Sequence, residues 1–305
     1  MGNRFVISID DESELAAGRK IDRAAEEIAR IEQMFTTFSE ESVTSRVNRK
    51  AGVEPVEVPE EFFRLVQRAQ KISKITGGAF DLSYGSIDKR LWNFDRTLTA
   101  LPTAEARRNL RLINYRNIVL DTPRQTVFLR EKGMRIGFGG IGKGYAADRA
   151  SEILKDLGVK NGVVNASGDL KTWGSSNGEP WTIAVADPDS PAFPFSELEI
   201  GEMAVATSGT YEKFTMIDGK RYSHTIDPRT GLPVTGIKSV TVVCPHAELA
   251  DALTTPLAVM GTRGALGLIN QMSTIACIII DDENRIFTSE NLRLPNERDG
   301  ISVRL

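Results

Sequence analysis

Three short stretches of this 305-residue chain carry residue types that do chemistry at useful spacing. The first is Gly137-Phe-Gly-Gly140-Ile-Gly-Lys143-Gly-Tyr145, where glycines surround one lysine. Glycines let backbone N–H groups approach a ligand and reach positive φ. A helix starting behind them turns its positive end toward an anion, and Lys143 adds a full charge. Phosphate is the simplest such ligand, with a tight strand-to-helix turn and a solvated lysine as the structural alternative. The second stretch is Tyr222-Ser-His224-Thr-Ile-Asp227-Pro-Arg-Thr-Gly231, preceded by Ser208-Gly-Thr-Tyr211. His224 has the type of a general base, and Asp227 could orient it or hold the Asp-Pro-x-Thr-Gly turn. The third is Asp251 and Thr255, four apart on a helical pattern, so their oxygens share one face. A carboxylate with a hydroxyl is a hard-oxygen pair suited to Mg²⁺. An aspartate near a helix start and a threonine bonded back to a carbonyl would read the same way.

The glycine stretch also fits the P-loop spacing Gly137-x₄-Gly142-Lys143, and Cys277-Ile-Ile-Ile-Asp281-Asp282 has the form of a strand ending in a metal-binding carboxylate. A P-loop needs Ser or Thr after its lysine to reach Mg²⁺, and this chain has Gly144.

These groups must be positioned by elements read from periodicity. Apolar residues at Ile21, Ala25, Ile28, Ile31 and Phe35 predict a helix over 16–35, and Phe62, Leu65, Val66, Ala69 and Ile72 predict another over 60–76. Residues 36–49 read as a polar loop, 134–138 as a strand before the glycine turn, and 145–158 as a helix. Residues 103–110 and 248–260 give further helices. Strands are expected at 5–9, 118–120, 126–129, 162–165, 181–185, 198–205, 214–217, 237–244, 275–280 and 301–305. Trp92 and Phe94 read as core aromatics. Helices early and strands late make an α+β pattern rather than a regular βαβ repeat. The absence of linker composition or repeats gives a single domain over 1–305.

A net charge of −3 with interspersed signs argues against a nucleic-acid surface. Cys244 and Cys277 read as buried thiols. No 18-residue apolar run is present, so no transmembrane segment is expected. The first residues lack a positive region and an apolar core, so the expectation is a cytoplasmic protein. The alternative expectation is a periplasmic protein with a trimmed signal or lipid anchor, whose first residues would look the same.

The motifs taken in order resemble a known family. Met1-Gly2, Phe38…Asn48, Gly78-Ala-Phe-Asp81, Leu91-Trp92, Gly139-Gly-Ile-Gly-Lys-Gly-Tyr-Ala-Ala-Asp148, Asn165…Asp169, Ser208…Tyr211, Ser223-His…Gly231 and Ala250-Asp251…Thr255…Met260-Gly261 are similar to the ApbE family of FAD:protein FMN transferases. The resemblance implies an α+β fold with a mixed, largely antiparallel sheet surrounded by helices, a T-fold-like architecture with a cofactor cleft between two lobes. It implies Mg²⁺ on the side chains of Asp251 and Thr255 and the main-chain carbonyl of Gly140. It places Met1, Phe38, Ala79, Phe80, Asp81, Lys143, Ser208, Tyr211 and Ile226 near FAD, with His224 and Asp227 as catalytic groups. The implied reaction moves FMN from FAD to a Ser or Thr of a target flavoprotein and releases AMP. An FAD-binding chaperone, or an FAD pyrophosphatase without transfer, is the alternative, and a P-loop-like NTPase a further one. The chain departs from the family's usual residues at Gly137 (Asp), Phe38 (Tyr) and Asn3 (Thr).

Overall fold

A computed structural model describes residues 3–87, 110–186, 194–209, 214–218, 220–292 and 301–302. The expectations for Met1, Trp92, Phe94, Tyr211 and the helix over 103–110 lie outside these, except for its last residue. The first part of the chain runs β1 (Phe5–Ile9), α1 (Glu14–Phe35), α2 (Val43–Arg49), β2 (Val56–Glu57), α3 (Glu60–Ile75), β3 (Ile118–Asp121), β4 (Thr126–Leu129) and α4 (Gly142–Asp156). Strands then dominate: β5 (Gly162–Ala166), β6 (Asp169–Trp173), β7 (Trp181–Ala186), β8 (Pro194–Ile200), β9 (Ala204–Gly209), β10 (Phe214–Ile217), β11 (Lys220–Ser223) and β12 (Ile237–Cys244). The chain continues with α5 (Ala247–Ile269), β13 (Ala276–Asp281), β14 (Ile286–Thr288) and β15 (Ile301–Ser302).

Seven strands form one sheet in the order β1-β5-β6-β9-β12-β13-β14, every neighbouring pair antiparallel. The parallel pair among the described residues is β8 with β15, in a smaller sheet β15-β8-β7. Alternation along the strands divides the two faces of the large sheet. Ala204, Ala206, Val240 and Val242 face a core shared with α1, α3, α4 and α5. Leu170, Val205, Val243 and Ile278 face the small sheet through Ile183, Leu198 and Ile200. Covered on both sides, β12 is buried along its whole length, as its valine-rich sequence suits.

Ser13 starts α1, its hydroxyl accepting the Ala16 N–H, and the buried stripe contains Ala24, Ile31 and Phe35, with Ala25 exposed. The stretch over 36–49 is not all loop. Ser42 caps α2 by accepting from Ser45 N–H, and α2 delivers Asn48 to the site described below. Nor are residues 134–138 a strand. The strand expected over 198–205 is broken at Gly201-Glu202 into β8 and β9. α5 runs beyond 260, with a break in its helical geometry at Gly261. By length and composition it is the one described helix apolar enough for a membrane span, yet its Leu253, Leu257, Ala265 and Ile269 belong to the main core. Both cysteines are buried and free.

Two helices carry the site, and each caps the other. Neither Ile141 before α4 nor His246 before α5 supplies a side-chain cap. Asp251 of α5 instead accepts the Gly144 N–H of α4 at 3.0 Å. Asp148 of α4 accepts the Ala247 and Glu248 N–H groups of α5, each at 2.9 Å. Orphan N–H groups of both first turns are thereby satisfied from the opposite helix. The approach needs a residue without a side chain. A Cβ on Gly144 would lie 2.0 Å from the Ala247 carbonyl oxygen and 2.8 Å from Asp251 Cβ.

Gly144→Ala therefore sets two effects against each other. Alanine favours a helix over glycine by about 0.5–1 kcal/mol. Forcing a methyl group into backbone costs about 3 kcal/mol, toward the upper part of the overpacking range. Net destabilisation of about 2 kcal/mol is expected in urea unfolding, and a stabilised variant would show that the helices separate without penalty.

Candidate functional site

The helix pair borders a cleft of about 1000 Å³. Its walls come from the end of α1, the segment after α3, the glycine stretch and the loop after β11. Phe35 stacks on Phe62 at 5.2 Å, and the Phe138 ring meets both edge-on, which ties α1 and α3 to the glycine stretch.

Residues 134–138 make no strand because side chains replace a neighbouring strand. The Asn48 side-chain amide donates to the Ile136 carbonyl at 3.0 Å and accepts the Ile136 N–H at 2.8 Å. Ser86 Oγ accepts the Arg135 N–H and donates to its carbonyl. Gly137 N–H reaches the Leu82 carbonyl at 3.0 Å. The glycines of this stretch also differ from expectation in their backbone. Gly137, Gly139, Gly140, Gly142 and Gly144 are absent from the positive-φ residues, and of these five Gly144 alone lies where a Cβ would collide with its surroundings. A Cβ on Gly140 would meet Phe80 at 3.7 Å, and one on Gly137 would find ordinary contacts at 3.9–4.0 Å.

Lys143 lines the cleft, and its ammonium stands 2.7 Å from Asp169 Oδ2 and 3.0 Å from Asp251 Oδ1. Burial pulls its pKa down, but the carboxylates of Asp251 and Asp169 outweigh this and the net shift is upward. Burial and the neighbouring Asp251 push the Asp169 carboxyl up against the pull of Lys143. Asp169 is a site residue that motif reading left without a role. It opens β6 directly after a two-residue hairpin loop, Ser167-Gly168, in which both residues have positive φ.

Gly140 and Thr255 line the same cleft as Lys143, whereas Asp251, 4% exposed, lies behind the lysine. Ala79, Phe80, Asp81, His224 and Ile226 also line it, as does Phe38, whose side chain is 94% exposed. The Asp81 carboxylate does not point its acceptors at a ligand. Oδ1 takes the Ser83 N–H and hydroxyl, and Oδ2 takes the Tyr115 N–H. Ser208 lies outside the lining, in β9 opposite Val240. Of the two roles open to Asp227, the geometry favours the turn. Its carboxylate accepts from Arg229 N–H, Nε and Nη2 at 2.8–2.9 Å, and its carbonyl accepts from Gly231 N–H. Arg135 is a cleft residue that the sequence motifs did not single out.

The P-loop reading loses its remaining support here. Gly144 occupies a position where a serine or threonine Cβ would collide with Ala247. Asp281 is spent on its own hairpin, accepting from Glu283 N–H, Arg285 N–H and Arg285 Nε.

The ApbE family model matches residues 1–279. This chain belongs to the ApbE family. It is 32% identical over 298 residues to the FAD:protein FMN transferase of Klebsiella pneumoniae, covering 96% of this chain and 91% of that protein. The Treponema pallidum protein of the same name is 30% identical over 296 residues, with 88% and 82% covered. Among solved structures, the ApbE protein of Thermotoga maritima superposes with a TM-score of 0.81 at 31% identity, covering 94% of this chain and 97% of that one. The apo Pseudomonas stutzeri flavinyl transferase ApbE gives 0.83 at 26% identity, with 95% and 92% covered. The α+β architecture is thus the ApbE architecture.

Asn48 offers a direct test of how the cleft wall is held. Asn48→Ala removes both bonds to Ile136 and leaves two backbone groups in a partly buried place, a loss of about 2 kcal/mol. Urea unfolding should show that loss. Unchanged stability would mean that the segment holds itself.

Proposed function

We propose that this ApbE-family chain is a Mg²⁺-dependent FAD:protein FMN transferase that places FMN on a Ser or Thr hydroxyl of a target flavoprotein and releases AMP. The observation carrying this reading is the convergence of Lys143, Gly140, Thr255, Phe80 and His224 on one cleft of about 1000 Å³, large enough for a dinucleotide.

A divalent cation fits the residues present. The donor set is hard oxygen, from the Asp251 carboxylate, the Thr255 hydroxyl and the Gly140 carbonyl. Asp251 Oδ1 already contacts a cation, the Lys143 ammonium, at 3.0 Å. Bound there, Mg²⁺ would supply charge neutralisation for the pyrophosphate and its leaving oxygen. Lys143 contributes a second positive charge at the start of α4, beside the N–H groups of that helix's first turn. Phe38 offers an exposed aromatic face for stacking a flavin ring.

In the transfer, the acceptor hydroxyl oxygen forms a bond to the FMN phosphorus and the anhydride P–O bond breaks. AMP departs with the bridging oxygen. His224 lies in the cleft wall and takes the proton of the hydroxyl. Asp227, engaged by Arg229, fixes the loop that presents His224. The test is incubation with FAD, Mg²⁺ and a target flavoprotein, followed by in-gel flavin fluorescence. Covalent flavin with stoichiometric AMP supports the reading; FAD binding with no flavin on any target removes it.

Two variant sets probe the roles. His224→Ala should lower the transfer rate by about 10²–10⁴-fold while leaving FAD affinity near wild type. The wild-type rate should rise with pH as the imidazole loses its proton and then level off. A variant that transfers at the wild-type rate throughout would make His224 structural.

Asp251→Ala should abolish transfer, because the remaining donors are neutral. Thr255→Ala should weaken Mg²⁺ binding more modestly, since water replaces a neutral oxygen. Mg²⁺ titrations of transfer rate decide the matter, and full activity in Asp251→Ala would remove the metal from this helix.

A further inference from the structure

Lys143 stands between Asp251 and the cleft. The lysine lines the cleft with its side chain 21% exposed, while Asp169 and Asp251 are each 4% exposed and do not line it. The three groups have a net charge of −1 when all are ionised, in a place where an uncompensated charge is costly. Asp251 Oδ2 is committed to Gly144 N–H, so Oδ1 is the oxygen left for a cation, and Lys143 is on it. Asp169 Oδ2 has the ammonium 2.7 Å away and no well-aligned hydrogen bond among the described residues. Its backbone is fixed by the hairpin between β5 and β6, while Asp251 is fixed from the other side by α5. The lysine is therefore shared by two carboxylates on different elements, only one of which belongs to the proposed metal site.

We propose that Lys143 fills the cation position at Asp251 in the metal-free protein, and that Asp169 is a positioning residue which retains the ammonium when a divalent cation takes Asp251. This inference rests on the metal assignment above. Without Asp169 the displaced ammonium would have no buried anionic partner, and repulsion from the divalent cation would drive it away from the cleft wall. With Asp169 the exchange needs a small displacement, and Lys143 stays facing the substrate phosphates. The arrangement makes Asp169 act on metal affinity through Lys143, which separates it from a residue that merely adds negative charge nearby.

The experiment is Mg²⁺ calorimetry on the flavin-free protein, comparing wild type, Asp169→Asn, Lys143→Met and the double variant. Asp169→Asn should weaken Mg²⁺ binding and Lys143→Met should tighten it, each by roughly tenfold, the scale of coupling between charged groups in contact. In the Lys143→Met background, the effect of Asp169→Asn should shrink severalfold. An equal effect in both backgrounds means direct electrostatics alone and overturns the proposal. So does Lys143→Met binding Mg²⁺ no tighter than wild type. Should Asp169→Asn fail to fold, the comparison of Lys143→Met and Lys143→Gln with wild type carries the test. Wild type that binds no Mg²⁺ removes the metal assignment itself, whereas wild-type binding unaffected by either variant overturns this inference alone.

Discussion

The exchange of aspartates between α4 and α5 is the constraint on which the site depends. A helix N-terminus buried without a cap leaves several N–H groups unsatisfied, each costing on the order of 1–3 kcal/mol. Here Asp251 and Asp148 cross between the two helices and bind the first turns of their neighbours. Once that contact is made, Lys143 beside Gly144 and Thr255 one turn beyond Asp251 have fixed relative positions. A single missing side chain permits all of it, since Gly144 lies where any Cβ would meet the Ala247 carbonyl. The glycine that breaks the P-loop pattern is thus the residue that the helix pair requires.

The opposite wall is built on a different principle. Residues 134–138 are held by Asn48, Ser86 and the Leu82 carbonyl rather than by a strand ladder. Asn48 satisfies the backbone of Ile136, Ser86 that of Arg135, and the Leu82 carbonyl takes the Gly137 N–H. The aromatic cluster of Phe35, Phe62 and Phe138 supplies the apolar backing, so the wall is irregular in secondary structure and still tightly packed.

What the sequence made legible follows from how local the cause is. The strand over Thr126–Leu129 and the buried valines of Ile237–Cys244 announce themselves through composition and length, and α3 through its apolar stripe. α2 was hidden because seven polar-rich residues carry little periodicity, although Ser42 before it is a cap residue. The loop Ser167-Gly168 was a readable hairpin signal that would have exposed β6 and, with it, Asp169. The roles of Asp148, Gly144 and Asn48 were not readable. Their partners lie about a hundred residues away in sequence, and only the folded chain brings them together. His224, Lys143, Thr255 and Gly140 meet in one cleft, but spacing alone could not say that Asp251 sits behind Lys143.

The treatment of acids around the cleft is the last consequence. The pyrophosphate pocket proposed above could not present bare carboxylates, because like charges in a partly desolvated space repel strongly. Four aspartates nevertheless belong to its surroundings. Asp81 turns its oxygens to Ser83 and Tyr115, and Asp227 is clasped by Arg229. Asp169 and Asp251 share Lys143. Each acid is tied to a donor on the protein side, while Lys143 and Arg135 present positive charge to the cleft. A divalent cation at Asp251, as proposed above, would continue that logic by screening a deeply buried carboxylate behind the cleft.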